Sequence, residues 1–177
     1  MMTLPNKLVF ARIAIAFLVI IGFCVLPLEN IWLRLIITLL FVLACFTDWL
    51  DGYIARTRDE HTDFGEAFDA IADKMLVTPT LIFLAISASR LLLIPVCFII
   101  IRDLAVDGIR MIHAKTGTPI AAGKNGKTKT FVQMSLISVA IFLWHPYLTA
   151  ATIIVSFGLS AWSGITYIRE SKLQLHK

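Results

Sequence analysis

The chain has 177 residues, 58% of them hydrophobic and 16% charged, with a mean hydropathy of +0.84. Soluble domains are less apolar and carry about a quarter of their residues as charges, so a water-soluble enzyme or binding module is excluded. The net charge of +4 and pI near 9.1 do not mark a nucleic-acid binder either, because the basic residues sit in short segments between apolar runs.

Those runs recur at the spacing of bilayer-spanning helices, which need about 20 residues to cross a hydrocarbon core about 30 Å thick. Six spans are predicted. The first covers Leu8 to Leu26 and ends at Pro27. It follows Lys7 and Arg12 as a signal peptide would, but it lacks an A-x-A-like cleavage site and opens a series, so it reads as a helix of the mature protein. The second covers Ile31 to beyond Ala55, with polar last turns. The third covers Gly65 to Ala85, the fourth Leu91 to Ala114, the fifth Thr128 to Trp144 and the sixth Pro146 to Arg169. The chain therefore reads as an all-α integral membrane protein, a single domain over 1–177. Cys24, Cys45 and Cys97 all lie in apolar runs; an odd number of thiols offers no disulfide framework, and they are expected to be small buried core residues in a reducing setting.

The loops alternate in character. Those after the first, third and fifth spans are short and nearly uncharged. The N-terminus, the segment Arg56 to Glu66, the segment His113 to Lys129 and the tail after Tyr167 hold most of the Lys and Arg. The positive-inside rule places both termini and both long loops in the cytoplasm.

The segment 46–75, FTDWLDGYIARTRDEHTDFGEAFDAIADKM, carries the chemistry. Asp48 and Asp51 are three apart at the end of the second span and share a helix face; Asp69 and Asp73, four apart in the third, do the same. With a short loop between the spans, the two helices are expected to be antiparallel neighbours whose four carboxylates meet just inside the membrane surface. Acids at that depth are costly unless paired, hydrated or metal-bound. Two hard cations, Mg²⁺ or Mn²⁺, would balance four carboxylates, and a dinuclear site of this kind suits phosphoryl transfer. Gly52 and Ala55 leave the helix surface bare for a ligand, Gly65 leaves room one turn before Asp69, and Arg56 is placed to pair with a phosphate. A solvated cluster of helix-end acids is the plainer reading of any one Asp; it leaves four of them with a matching Gly-Ala-Arg pattern unexplained.

Asp48-x-x-Asp51-Gly52-x-x-Ala55-Arg56, followed after eight residues by Gly65-x-x-x-Asp69-x-x-x-Asp73, resembles in full the signature of the CDP-alcohol phosphatidyltransferase family. The resemblance implies a six-transmembrane-helix bundle acting as a homodimer; a bacterial inner membrane is the expected location, with the active site on the cytoplasmic side by the positive-inside rule. It implies that Asp48, Asp51 and Asp69 chiefly hold two metal ions, while Asp73 touches metal and serves as general base. It also implies that Gly52, Ala55 and Arg56 border the CDP moiety of CDP-diacylglycerol. Thr62 matches a position that contacts it, and Pro5, Asn6 and Asp48 join the same CDP-binding set.

The acceptor alcohol depends on residues outside the signature. Asp103, Asp107 and Arg110 share a face of the fourth span, with Arg102 on its flank. Interhelical salt bridges and a site for a phosphorylated acceptor are both open readings of this group. The lysines of 123–134 serve equally as an anchor to anionic lipid headgroups. The finer pattern Gly126-Lys127-x-Lys129-Thr130-x-x-Gln133-Met134, with Leu4-Pro5-Asn6, Arg12 and Arg102-x-x-x-x-x-Gly108-x-Arg110, is similar to the branch of the family that uses glycerol 3-phosphate and forms phosphatidylglycerophosphate. Arg102, Arg110, Lys127 and Lys129 would then hold the acceptor phosphate. The chain departs from that branch in Phe68-Asp69-Ala70, in Asp63 and in Asp107; the last two would reduce the positive potential met by a phosphate. Inositol phosphate, serine and phosphatidylglycerol are the alternative acceptors. A cation or proton transporter is the rival outside the family, disfavoured because the acids gather at one membrane face instead of lining a path across.

Overall fold

The computed structural model describes residues 4–58, 63–115 and 124–175, and within them the side chains of 8–50, 71–109, 126, 128–167 and 169. Six α-helices account for nearly all of these residues: α1 Leu4–Val25, α2 Ile31–Arg58, α3 Asp63–Ala88, α4 Leu93–Lys115, α5 Lys124–Leu143 and α6 Pro146–Leu175. There is no strand among them, as expected from the sequence. Stretches within α1, α2, α3 and α6 are each long and apolar enough to cross a membrane, and α5 contributes a shorter apolar stretch, Thr128–Leu143. The ionic residues Arg102, Asp103 and Asp107 interrupt the apolar character of α4.

The helix ends follow local chemistry. Pro27 cannot extend α1, and the chain turns through a hydrogen bond from Asn30 N to Pro27 O at 3.1 Å. Asn30 then caps α2, its Oδ1 accepting from Trp32 N at 2.9 Å. A 3-10 turn, Arg90–Leu92, leads from α3 into α4. Between α5 and α6, Trp144 adopts φ of 48°, donating its N–H to Ala140 O at 3.0 Å, and Pro146 opens α6 at the first helical position, where its missing N–H does no harm. Within α3, Pro79 interrupts the backbone ladder; its neighbour Thr80 turns its hydroxyl back onto Leu76 O at 2.8 Å, one of the local adjustments that make proline tolerable in a membrane helix.

The residues fall into two compact units. In the first, Met1–Leu84 with Ile137–Trp144, α1 packs along α2. Ala16, Val19 and Phe23 form the buried face of α1, and Ile37, Phe41 and Ala44 that of α2. Phe23 stacks on Phe83 of α3 at 5.4 Å and on Trp144 at 6.2 Å. Arg34 donates Nη1 to Leu143 O at 3.1 Å, satisfying a carbonyl at the end of α5. Gly22 of α1 packs directly on α2: a Cβ there would lie 3.1 Å from both Cγ1 and Cδ1 of the buried Ile37. Gly22→Ala is therefore expected to lower stability by about 1 kcal/mol, overpacking outweighing the better helix propensity of alanine. A lower melting temperature in detergent would show it.

In the second unit, Ala85–Leu136 with His145–Lys177, α4 packs on α6, with Phe98 edge-on to Phe157 at 4.9 Å. The buried side of α6 is lined by hydroxyls: Thr149, Thr152, Ser156, Ser160 and Ser163. Small and hydroxylated residues are the usual means of close approach between helices in lipid, where apolar side chains gain nothing by leaving the hydrocarbon. Many large apolar residues accordingly point outwards, among them Leu18, Leu39, Leu43, Ile94 and Ile154. The expectation of buried cysteines is corrected on the same ground: Cys24 and Cys97 are exposed on outer faces and Cys45 is half-buried, since an outward face of a spanning helix is as apolar an environment as the core.

Candidate active site

The aspartates of the expected carboxylate cluster lie at the end of α2 and the start of α3, in the first unit. The α2 backbone is helical through Asp51, Gly52, Ala55 and Arg56, and the α3 backbone through Gly65 and Asp69. Asp48 and Asp51 therefore share one helix face and Asp69 and Asp73 another. The side chains of Asp51, Gly52, Ala55, Arg56, Gly65 and Asp69 lie outside the described residues, as do those of Pro5 and Asn6 and the whole of Thr62. Asp48 and Asp73 are the two site aspartates with described side chains.

Asp48 is held from α1. Arg12, a charged residue only 1% exposed, places Nη1 2.7 Å from Asp48 Oδ1. Asp48 itself is partly open, with 31% of its side chain exposed. The thiol of Cys45, one turn earlier on α2, lies within electrostatic range of Asp48, Asp73 and Arg12 together, so the two carboxylates and the guanidinium occupy one neighbourhood. Asp73 presents two different oxygens: Oδ2 accepts from Lys74 Nζ at 3.2 Å, whereas Oδ1 is buried without a hydrogen-bond partner.

A buried carboxylate oxygen left without a donor is unfavourable unless something else fills its place. Such an oxygen fits a hard, oxygen-seeking cation of the Mg²⁺ or Mn²⁺ type. Among the described residues no group of three or more His, Cys, Asp or Glu comes together; the other two aspartates of the expected set are those whose side chains are not described.

The candidate acceptor residues belong to the second unit. Lys129, buried on α5, donates Nζ to Asp103 Oδ1 at 2.8 Å and to Oδ2 at 2.7 Å. Arg102 donates Nη1 to Asp103 Oδ1 at 2.7 Å and Nη2 to Ser163 Oγ of α6 at 3.0 Å. Of the two readings of the ionic face of α4, the interhelical salt bridge is thus present for Asp103. The side chains of Arg110 and Lys127 lie outside the described residues.

Three contacts escaped the sequence reading. Arg12 resembles any cation flanking a membrane span, and nothing in its spacing names Asp48, 36 positions away, as its partner. Lys74 was signalled only by following Asp73 directly. Ser163 and Gly164, which receive Arg102, look like ordinary small residues of a membrane helix.

Comparison with known proteins gives a consistent family. A sequence profile described as CDP-alcohol phosphatidyltransferase matches residues 2–162. The chain is 37% identical to a CDP-diacylglycerol–glycerol-3-phosphate 3-phosphatidyltransferase of Bacillus subtilis (strain 168), covering 82% of this chain and 78% of that protein. It is 40% identical to one of Rickettsia bellii (strain RML369-C), covering 78% and 74%. It is also 34% identical to a cardiolipin synthase (CMP-forming) of Oryza sativa subsp. japonica, over 96% of this chain; there the chain spans 57% of the plant protein.

Proposed function

The chain belongs to the CDP-alcohol phosphatidyltransferase family, and on that premise we propose that it is a membrane phosphotransferase moving the phosphatidyl group of CDP-diacylglycerol to glycerol 3-phosphate, with phosphatidylglycerophosphate and CMP as products. The observation that carries this reading is the buried, unpartnered Oδ1 of Asp73 within the neighbourhood of Asp48, at two positions of the family signature. The acceptor follows from the bacterial relatives, which are named for glycerol 3-phosphate.

The division of labour follows from the residues. Asp48, Asp51, Asp69 and Asp73 would hold two divalent cations, Mg²⁺ or Mn²⁺, which when bound neutralise the pyrophosphate and make its phosphorus a better target. Gly52 and Ala55 leave the end of α2 bare for the CDP moiety, bordered by Arg56, Thr62, Pro5 and Asn6. The acyl chains stay in the bilayer. Asp73 accepts the proton of the acceptor hydroxyl at Oδ1; the freed oxygen forms the new bond to the β-phosphorus, the bond to CMP breaks, and Arg56 pairs with the departing phosphate. Arg102, Arg110, Lys127 and Lys129 are assigned the phosphate of the acceptor. The positive-inside rule favours the cytoplasmic side for this chemistry and for both termini, and the family resemblance favours a homodimer as the working form.

A second reading has its own support. The plant relative aligned over nearly the whole chain is named a cardiolipin synthase, which favours phosphatidylglycerol as the alternative acceptor. The deciding measurement is CMP release by the purified protein in detergent with CDP-diacylglycerol and Mg²⁺, offering each alcohol separately. Release with glycerol 3-phosphate alone is expected. Release only with phosphatidylglycerol, serine or inositol phosphate keeps the family and replaces the acceptor; no release with any of them overturns the assignment.

A further inference from the structure

The cations assigned to the acceptor phosphate do not stand alone. Arg102 and Lys129 come from different helices, α4 and α5, and share one carboxylate, that of Asp103. All three side chains are largely buried. Two like charges so close together repel each other, and without an anion between them their side chains would separate into different rotamers. Asp103 removes that freedom: one of its oxygens accepts from both cations and the other accepts from Lys129 as well. The far end of the Arg102 guanidinium is tied down as well, by Nη2 to Ser163 Oγ. Gly164 makes room for it, since a Cβ there would lie 3.1 Å from Arg102 Nε and 3.4 Å from its Cγ. Arg102 Nε remains buried without a hydrogen-bond partner. Two cations on one carboxylate leave the three side chains with a net positive charge, held in place before any ligand arrives.

We propose that Asp103 is a positioning residue for the acceptor phosphate: by binding Arg102 and Lys129 to a single carboxylate, it presents the two cations at a fixed separation to a phosphomonoester. This rests on the acceptor reading given above. Fixed cations bind an anion better than mobile ones, because the ordering is done before binding. The effect therefore belongs to binding of the phosphorylated alcohol and not to the chemical step.

The test is steady-state kinetics with glycerol 3-phosphate and CDP-diacylglycerol varied in turn, alongside melting temperatures. Asp103→Asn keeps the shape and removes the charge. The KM for glycerol 3-phosphate is expected to rise at least about tenfold, the scale of one lost charge-assisted interaction. Meanwhile kcat and the KM for CDP-diacylglycerol change less than about threefold, the signature of a ground-state binding contact. Because Asp103 acts through Lys129 as well as through Arg102, Asp103→Asn is expected to raise this KM by a smaller factor in the Lys129→Met background than in the wild type. Ser163→Ala, a milder change that frees the guanidinium, is expected to raise the same KM about threefold and decides the matter should Asp103→Asn fail to fold. A lowered melting temperature with that KM unmoved in the folded variants would make Asp103 a structural clamp only and overturn the inference. A wild-type protein that ignores glycerol 3-phosphate overturns the acceptor reading and this inference with it; an active wild type with unmoved variants overturns the inference alone.

Discussion

Asp73→Asn is expected to cut CMP release by about a thousandfold or more while leaving the protein folded. Loss of a general base alone removes about 10²- to 10⁴-fold, and Asp73 is also assigned to metal. The fold has little to lose. Asp73 Oδ1 has no hydrogen-bond partner to forfeit, and the Lys74 contact at 3.2 Å joins two groups that are each about a quarter exposed, a pair of the kind that contributes little. The melting temperature without added metal should therefore stay close to that of the wild type. Its rise on adding Mg²⁺ should shrink, because a ligand stabilises only in proportion to its binding. Full activity in this variant would remove Asp73 from the proton transfer.

The second large effect is expected at Arg12. Arg12→Met keeps the bulk of the side chain and deletes its charge, leaving Asp48 without the guanidinium 2.7 Å away. Breaking a fully buried pair from one side destabilises by about 3–5 kcal/mol, because a charge is left uncompensated. Asp48 is 31% exposed, so water takes over part of the missing interaction, and a loss of about 2 kcal/mol is the better expectation. The sign of a second substitution tests the cause. Asp48→Asn in the Arg12→Met background removes the stranded charge and should recover stability, measured as the denaturation midpoint in detergent. A double variant no more stable than Arg12→Met would show that packing of the side chain, and not its charge, is what α1 contributes.

The helices were legible because charge and apolar character alternate in blocks longer than a helical turn, and the blocks have clear stops at Pro27 and Pro146. Where stops are missing, a helix runs on past its apolar span. The sixth helix was expected to finish near Arg169 but runs to Leu175, because Glu170 to Leu175 are good helix formers with no glycine or proline among them. The first begins at Leu4, earlier than its apolar run, since Pro5 is no obstacle in a first helical turn. The candidate site divides in the same way. The aspartates could be read because their three- and four-residue spacings are local properties of a helix. The choice of partners could not. The ionic face of α4 offered salt bridges for its acids or a phosphate site for its arginines, and only the approach of α5 shows that Lys129 is a partner of Asp103. Likewise Arg12 shares no periodicity with Asp48, because their pairing is a fact of how α1 lies along α2.

The outward placement of the thiols has a practical consequence. Cys24 sits on an exposed face of an apolar span and Cys97 on an exposed face of the apolar first half of α4, surfaces suited to cover by lipid or detergent, and Cys45 is half-buried one turn from Asp48. Membrane-impermeant maleimides therefore meet an almost silent background. A single cysteine introduced into a loop would report which face of the bilayer it occupies, in intact cells and without first stripping the chain of its native thiols.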